Sequence, residues 1–157
     1  MTSAAETIIR RLPVEPGSYL FWLYLPRVVD IQIGRLGASR LRRGWYFYCG
    51  SAFGPSGLRA RLGHHLQLSE RRHWHIDYLK EQARVRALWF CRGVNLEHEW
   101  SRCLLEVPGA CQPVAGFGSS DCGCPTHLVY LPARPAARNL NKILQTERPI
   151  TRILLPS

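Results

Sequence analysis

Residues 18–25 (SYLFWLYL) carry an apolar or aromatic side chain at every position from 19 to 25. A strand with one wet face would alternate, so an unbroken run of this length predicts a buried strand. Pro26 ends it. Residues 28–33 (VVDIQI) form a second, shorter strand set off by Gly34 and Gly37. The basic segment 35–43 reads as a loop or hairpin tip, and residues 45–49 (WYFYC) as a third strand rich in aromatics. Short connections between the three runs predict an antiparallel meander. Before them, residues 1–11 suit a short helix stopped by Pro13 and Pro16.

The period then changes. Residues 58–68 are helical, with Leu58, Leu62, His65 and Leu66 on one face. Residues 74–82 (WHIDYLKEQ) form a second helix, and 85–91 (VRALWFC) a further strand. Asn95 is a suitable cap for a helix running to about Leu105, with Glu97 in its first turn. Residues 107–126 hold a run of Pro, Gly and Cys and form a long loop. A short strand at 128–131 and a helix at 135–145 follow, and the tail after Pro149 has no clear element. The pattern predicts an α+β fold, a small central and mostly antiparallel sheet (a meander) flanked by helices. At 157 residues a single domain, 1–157, is expected. No repeat and no low-complexity tract interrupts it.

Charge adds a direction. Lys and Arg number 21 against 11 Asp and Glu, a net charge of +10 carried mostly by Arg. Such a surface faces polyanions, and Arg matches the geometry of phosphate. Nucleic acid is the expected partner. A membrane surface is disfavoured by the absence of a Lys/Arg-rich amphipathic stretch with a broad apolar face. No apolar run reaches the span of a bilayer, and residues 1–16 lack a secretory core, so a cytoplasmic location is expected. The six cysteines should then be free thiols, buried or metal-bound.

Candidate chemistry gathers around two phenols and a basic helix. Tyr19 opens one central strand and Tyr48 closes another, and in a meander those ends can meet. A tyrosine there becomes a general base if a cation or metal-bound water lowers its pKa. Taken singly, tyrosines in aromatic strands are more often half-buried core. Arg61 and His65, spaced i, i+4, share a helical face; Arg59 and Arg61 do not. Arg61 is suited to clamp a phosphate and His65 to orient or protonate it. Gly57 would let a phosphate approach the helix N-terminus. Arg59, His64, Arg42, Arg43 and Gly50 complete the candidate DNA contacts. A divalent cation needs a carboxylate, and Asp77, Glu97, Glu99 and Glu106 are all placed to supply one. Finally, Cys111, Cys122, Cys124 and His127 form a C-x10-C-x-C-x2-H set, a candidate zinc site of the Cys₃His type.

These phrases resemble the GIY-YIG nuclease superfamily, with Gly17-Ser18-Tyr19 in the first motif and Tyr48-Cys49-Gly50 in the second. The chain is most similar to a branch of it found alone or fused to endonuclease III-type DNA glycosylases. Residues 48–66, 73–79, the Glu97–Glu99 helix and residues 116–131 carry the likeness, which spans about 14–132 and leaves 133–157 as a helical extension. The resemblance implies that Tyr19 activates or positions water, that Tyr48 supports it, and that Arg61 holds the phosphate with His65 one turn on. It assigns one Mg²⁺ or Mn²⁺ to Glu99, with Glu97 as the alternative. Ser120 or Asp121 stands where the family often has an asparagine, and the two motifs are farther apart than usual. The function implied is metal-dependent endonucleolytic cleavage of DNA, with a role in repair. The alternatives are a catalytically weak or inactive nucleic-acid-binding module, and a zinc-stabilised partner domain of a DNA glycosylase.

Overall fold

The computed structural model describes residues 1–67, 71–144 and 146–156. Among them the chain forms α1 (Ala4–Arg11), β1 (Gly17–Leu25), β2 (Val29–Ile33), β3 (Gly37–Leu41), β4 (Gly44–Ala52), α2 (Gly57–Leu66), α3 (His75–Lys80), β5 (Arg84–Arg92), α4 (Glu97–Leu105), β6 (Leu128–Leu131), α5 (Ala137–Ile143) and β7 (Ile150–Leu154). The architecture is α+β. A five-stranded antiparallel sheet runs in the order β6-β4-β1-β5-β7, and β2 pairs with β3 in a separate two-stranded ribbon.

Strand β1 is the centre of the sheet, hydrogen-bonded on both edges to β4 and β5. Its alternate residues enter two different cores, and this is why its sequence does not alternate. Tyr19, Phe21, Leu23 and Leu25 face a cluster with Leu58 and Leu62 of α2 and Ile76 and Leu79 of α3. Leu20 and Trp22 face the other, with Leu96, Trp100 and Leu104 at α4 and Leu140 at α5.

Two expectations about connectivity change. The basic segment between the second and third apolar runs contains strand β3, so β2 and β3 form a hairpin that leaves the main sheet. This excursion lets β1 and β4 pair directly despite the long insertion between them. The tail after Pro149 is β7, an edge strand on β5, so residues 133–157 contribute a strand as well as a helix. The expected helices 58–68 and 135–145 run over 57–66 and 137–143; Leu68 and Gln145 lie outside the described residues. No described helix is long and apolar enough to cross a membrane.

Candidate active-site cavity

The register of β1 against β4 places Tyr19 opposite Gly50 and Phe21 opposite Tyr48. Tyr19 and Tyr48 therefore lie diagonally on one face, their ring centroids 6.3 Å apart. Gly50 is a glycine because the Tyr19 ring lies on it: a Cβ there would sit 2.3 Å from the phenol carbon and oxygen. Tyr19 is fully buried, and its hydroxyl meets His65 Nε2 at 2.9 Å. On the other side of that ring, His65 Nδ1 stands 3.6 Å from Asp77 Oδ1. The Asp77 charge favours the tautomer with its proton on Nδ1, and in that tautomer Nε2 accepts from Tyr19. Asp77, His65 and Tyr19 thus form a buried polar chain behind the sheet end.

Electrostatics fit this assignment. Burial pushes the His65 pKa down to about 4; Asp77 opposes the shift, while Lys80 and Arg61 assist it. Burial alone would raise the Asp77 carboxyl. The interaction with His65 and hydrogen bonds from the Trp74 and His73 amides and from His64 outweigh it, holding the carboxyl well below its ordinary value. The Asp77 charge also faces Lys80 Nζ at 3.5 Å, and that ammonium donates to the His65 carbonyl. Burial raises the Tyr19 phenol, with only partial relief from Arg61, and raises Tyr48 as well. Burial thus opposes the lowered pKa that a tyrosine base needs, and that lowering would have to come from a bound cation.

In front of Tyr48 opens a cavity of ≈ 410 Å³ lined by Tyr48, Ser51, Arg61, Trp74, Glu97, His98, Asp121, Cys122 and His127, among others. Arg61 reaches it from α2, its guanidinium stacked over Trp74 at 4.5 Å from the ring centroid. Glu97 enters from the first turn of α4. Ser51 Oγ donates to Glu97 Oε2 at 2.8 Å, and His127 Nδ1 lies 2.9 Å from Glu97 Oε1. Burial opposes the Glu97 charge, but these two partners prevail and hold its carboxyl below the ordinary value. The start of α4 is itself set by Ser18. Its hydroxyl donates to the Val94 carbonyl at 2.8 Å and accepts from the Leu96 amide at 2.6 Å. The middle residue of the first motif thereby fixes the helix that delivers the carboxylate.

Of the sequence candidates, Tyr48, Arg61 and Glu97 share the cavity, with Tyr19 and His65 buried behind it. Glu99, two residues beyond Glu97, is exposed on another side of α4 and lines a separate pocket with Arg102 and Leu105. Residues two apart on a helix point about 200° apart, so only one of the two glutamates can enter. Asp121 lines the cavity and Ser120 the adjoining one.

Several candidate DNA contacts also have partners within the fold. Arg59 donates to the Leu12 and Arg10 carbonyls and ties α2 to the end of α1. His64 packs on Trp74 and lies 3.3 Å from Asp77. Gly57 has φ +53°, and a Cβ there would meet the Val14 and Glu15 carbonyls at 2.3 Å. The Leu58 and Arg59 amides donate to Glu15 and Pro13, so the start of α2 is spent on the chain itself and not on a phosphate. Arg42 and Arg43 lie at the far end of β4, about 25 Å along the strand from Ser51. Arg42 covers Tyr130, and Arg43 donates to the Tyr24 hydroxyl. Cys111 also stands outside the group that Cys122, Cys124 and His127 form. It bridges to Tyr130 by its backbone, and its sulfur accepts from Arg42 at 3.2 Å.

Sequence reasoning gave no part in the site to the side chains of Ser18, Ser51, Trp74 or His98. Asp77 entered only as one of four carboxylates. Its position three residues after Trp74 at a helix start was the available signal, since an acid there caps the first turn.

The fold and cavity thus define an α+β domain with two paired tyrosines, an arginine on the following helix and one inward glutamate. The family described as "Domain of unknown function DUF123" matches residues 18–148, and the chain belongs to it. The matched span contains Ser18 and Tyr19 of the first motif, all of the second, and every residue that lines the cavity. No curated protein and no solved structure matches.

Proposed function

We propose that the chain is a metal-dependent endonuclease that hydrolyses phosphodiester bonds in DNA. The observation that carries this reading is the convergence of Arg61, Tyr48 and Glu97 on one open polar cavity in a chain of net charge +10. Arg61, already ordered on Trp74, holds the scissile phosphate and the charge that develops on it. Tyr48, kept protonated by burial, donates a hydrogen bond to the phosphate or to the attacking water. The buried chain behind it offers a route for that water's proton. Tyr19 takes it up as its own proton passes to His65 Nε2, and Asp77 stabilises the imidazolium that results. Glu97 suits a single Mg²⁺ or Mn²⁺: its carboxyl is held ionised, and each oxygen keeps a lone pair beyond its present partner. Such an ion would supply Lewis-acid activation at the phosphate.

Incubation with plasmid, flap and damaged duplex DNA in Mg²⁺ or Mn²⁺ tests the reading. Cleavage is expected from the wild type and from Glu99→Gln, and its loss by about 100-fold or more in Arg61→Ala and Glu97→Gln. No cutting of any substrate by the wild type, or full activity in Glu97→Gln, overturns it. A second reading is favoured by one observation, that Tyr19 is fully buried and its hydroxyl already engaged by His65. On that reading the cavity binds nucleic acid without turnover, and binding needs no metal.

A further inference from the structure

We infer that His98, Cys122, Cys124 and His127 form a structural zinc site beside the cavity. The ligand atoms of these four side chains all lie within 4.8 Å of one another. Cys122 Sγ is 3.5 Å from His127 Nε2, and His98 Nδ1 is 2.8 Å from Cys124 Sγ. A zinc tetrahedron with ordinary Zn–S and Zn–N bonds has N–S edges of about 3.5 Å, so small side-chain rotations bring all four donors into range.

The backbone already presents these donors. Loop 116–127 is closed by hydrogen bonds from the Gly116 amide to Pro125 and from the His127 amide to Phe117. It delivers both cysteines and His127. Helix α4 delivers His98 from the residue after Glu97. His127 is buried, and its Nδ1 faces the Glu97 carboxylate at 2.9 Å. A carboxylate on Nδ1 fixes the tautomer that leaves a lone pair on Nε2, the atom directed at Cys122. This carboxylate–histidine pairing is the usual support of a metal-bound imidazole.

Donor chemistry selects the ion. Two thiolates and two imidazoles in a tetrahedral arrangement suit Zn²⁺, whereas Mg²⁺ and Mn²⁺ prefer oxygen. Four protein ligands close the coordination sphere, so the ion would tie loop 116–127 to α4 and would not bind a substrate. The set differs from the one read in sequence, because His98 takes the place of Cys111. His98 is 24 residues before Cys122, and only the packing of α4 against the loop brings it in.

The test needs no DNA, so its outcome is separate from that of the nuclease reading. The 157-residue chain, purified without chelators, is analysed for metal by mass spectrometry. About one zinc per chain is expected. It is retained in Cys111→Ser and lost in Cys122→Ser and Cys124→Ser. His98 is exposed, so His98→Ala should fold and yet bind zinc markedly more weakly. Glu97→Gln should weaken zinc by about 10–100-fold as an outer partner. Should a cysteine variant fail to fold, Co²⁺ exchanged into the wild type gives the answer by spectroscopy. A tetrahedral band with charge transfer from two thiolates supports the site. Zinc-free wild type, zinc unaffected by His98→Ala, or zinc lost in Cys111→Ser overturns it.

Discussion

Lowering the pH toward 5 should destabilise this protein chiefly through His65. The imidazole has a folded pKa of about 4 against an ordinary value of 6.5. Between those values the unfolded chain binds a proton that the folded chain refuses, so stability falls as pH falls through this window. The contribution is complete above the unfolded value and is lost as pH drops toward the folded one. From about pH 7 to about pH 5, the two pKa values give a loss of about 2 kcal/mol, with a slope approaching 1.4 kcal/mol per pH unit. Below that window Asp77 takes over. Its carboxyl is depressed from 3.8, so its contribution is lost as acid protonates it. Urea denaturation followed by tryptophan fluorescence, at both pH values, measures the loss in the wild type and in His65→Gln. The variant should lose about 2 kcal/mol less between them. His75 is also depressed by burial, but it titrates in both proteins and cancels. Parallel pH dependence in the two would refute the buried neutral histidine. If His65→Gln does not fold, nitrogen-15 NMR of the wild type substitutes. A neutral ring protonated on Nδ1 is expected at about pH 6, and an imidazolium there sinks the argument.

Gly50→Ala places a methyl group 2.3 Å from the Tyr19 phenol. Expelling that ring should cost about 1–3 kcal/mol of stability and disrupt its bond to His65; wild-type stability on chemical denaturation would show that Tyr19 does not lie on Gly50. DNA binding measured by fluorescence anisotropy should weaken linearly in log–log terms as salt rises. Arg61→Ala should make that slope shallower by about one, and an unchanged slope would mean that Arg61 does not touch phosphate.

Much of the fold was legible because hydrophobic pattern is a local signal. The unbroken run 19–25 reads as a strand covered on both faces, and it is the central one. Helices α1 to α4 and strands β5 and β6 likewise stand close to where the period places them, although Leu96 and not Asn95 is the N-cap residue of α4. The edge strand β7 was not legible, since its pairing with β5 depends on a partner about 60 residues earlier. The same holds for β3, whose polar and basic residues suit a loop equally well until β2 lies beside it.

The candidate site divides along the same line. The chain by itself determined the phenols and the i, i+4 spacing of Arg61 and His65, because helical and strand geometry act over a few residues. Only tertiary structure decided between Glu97 and Glu99, because the rotation of α4 about its axis is set by Trp100 and Leu104 in the core and by Ser18 at its start. Only tertiary structure turned Gly50 and Gly57 into packing positions, since what a glycine makes room for is elsewhere in the chain. The same reason moved the cysteine set: spacing could group Cys111 with Cys122 and Cys124, but the contact of α4 with loop 116–127 put His98 there instead.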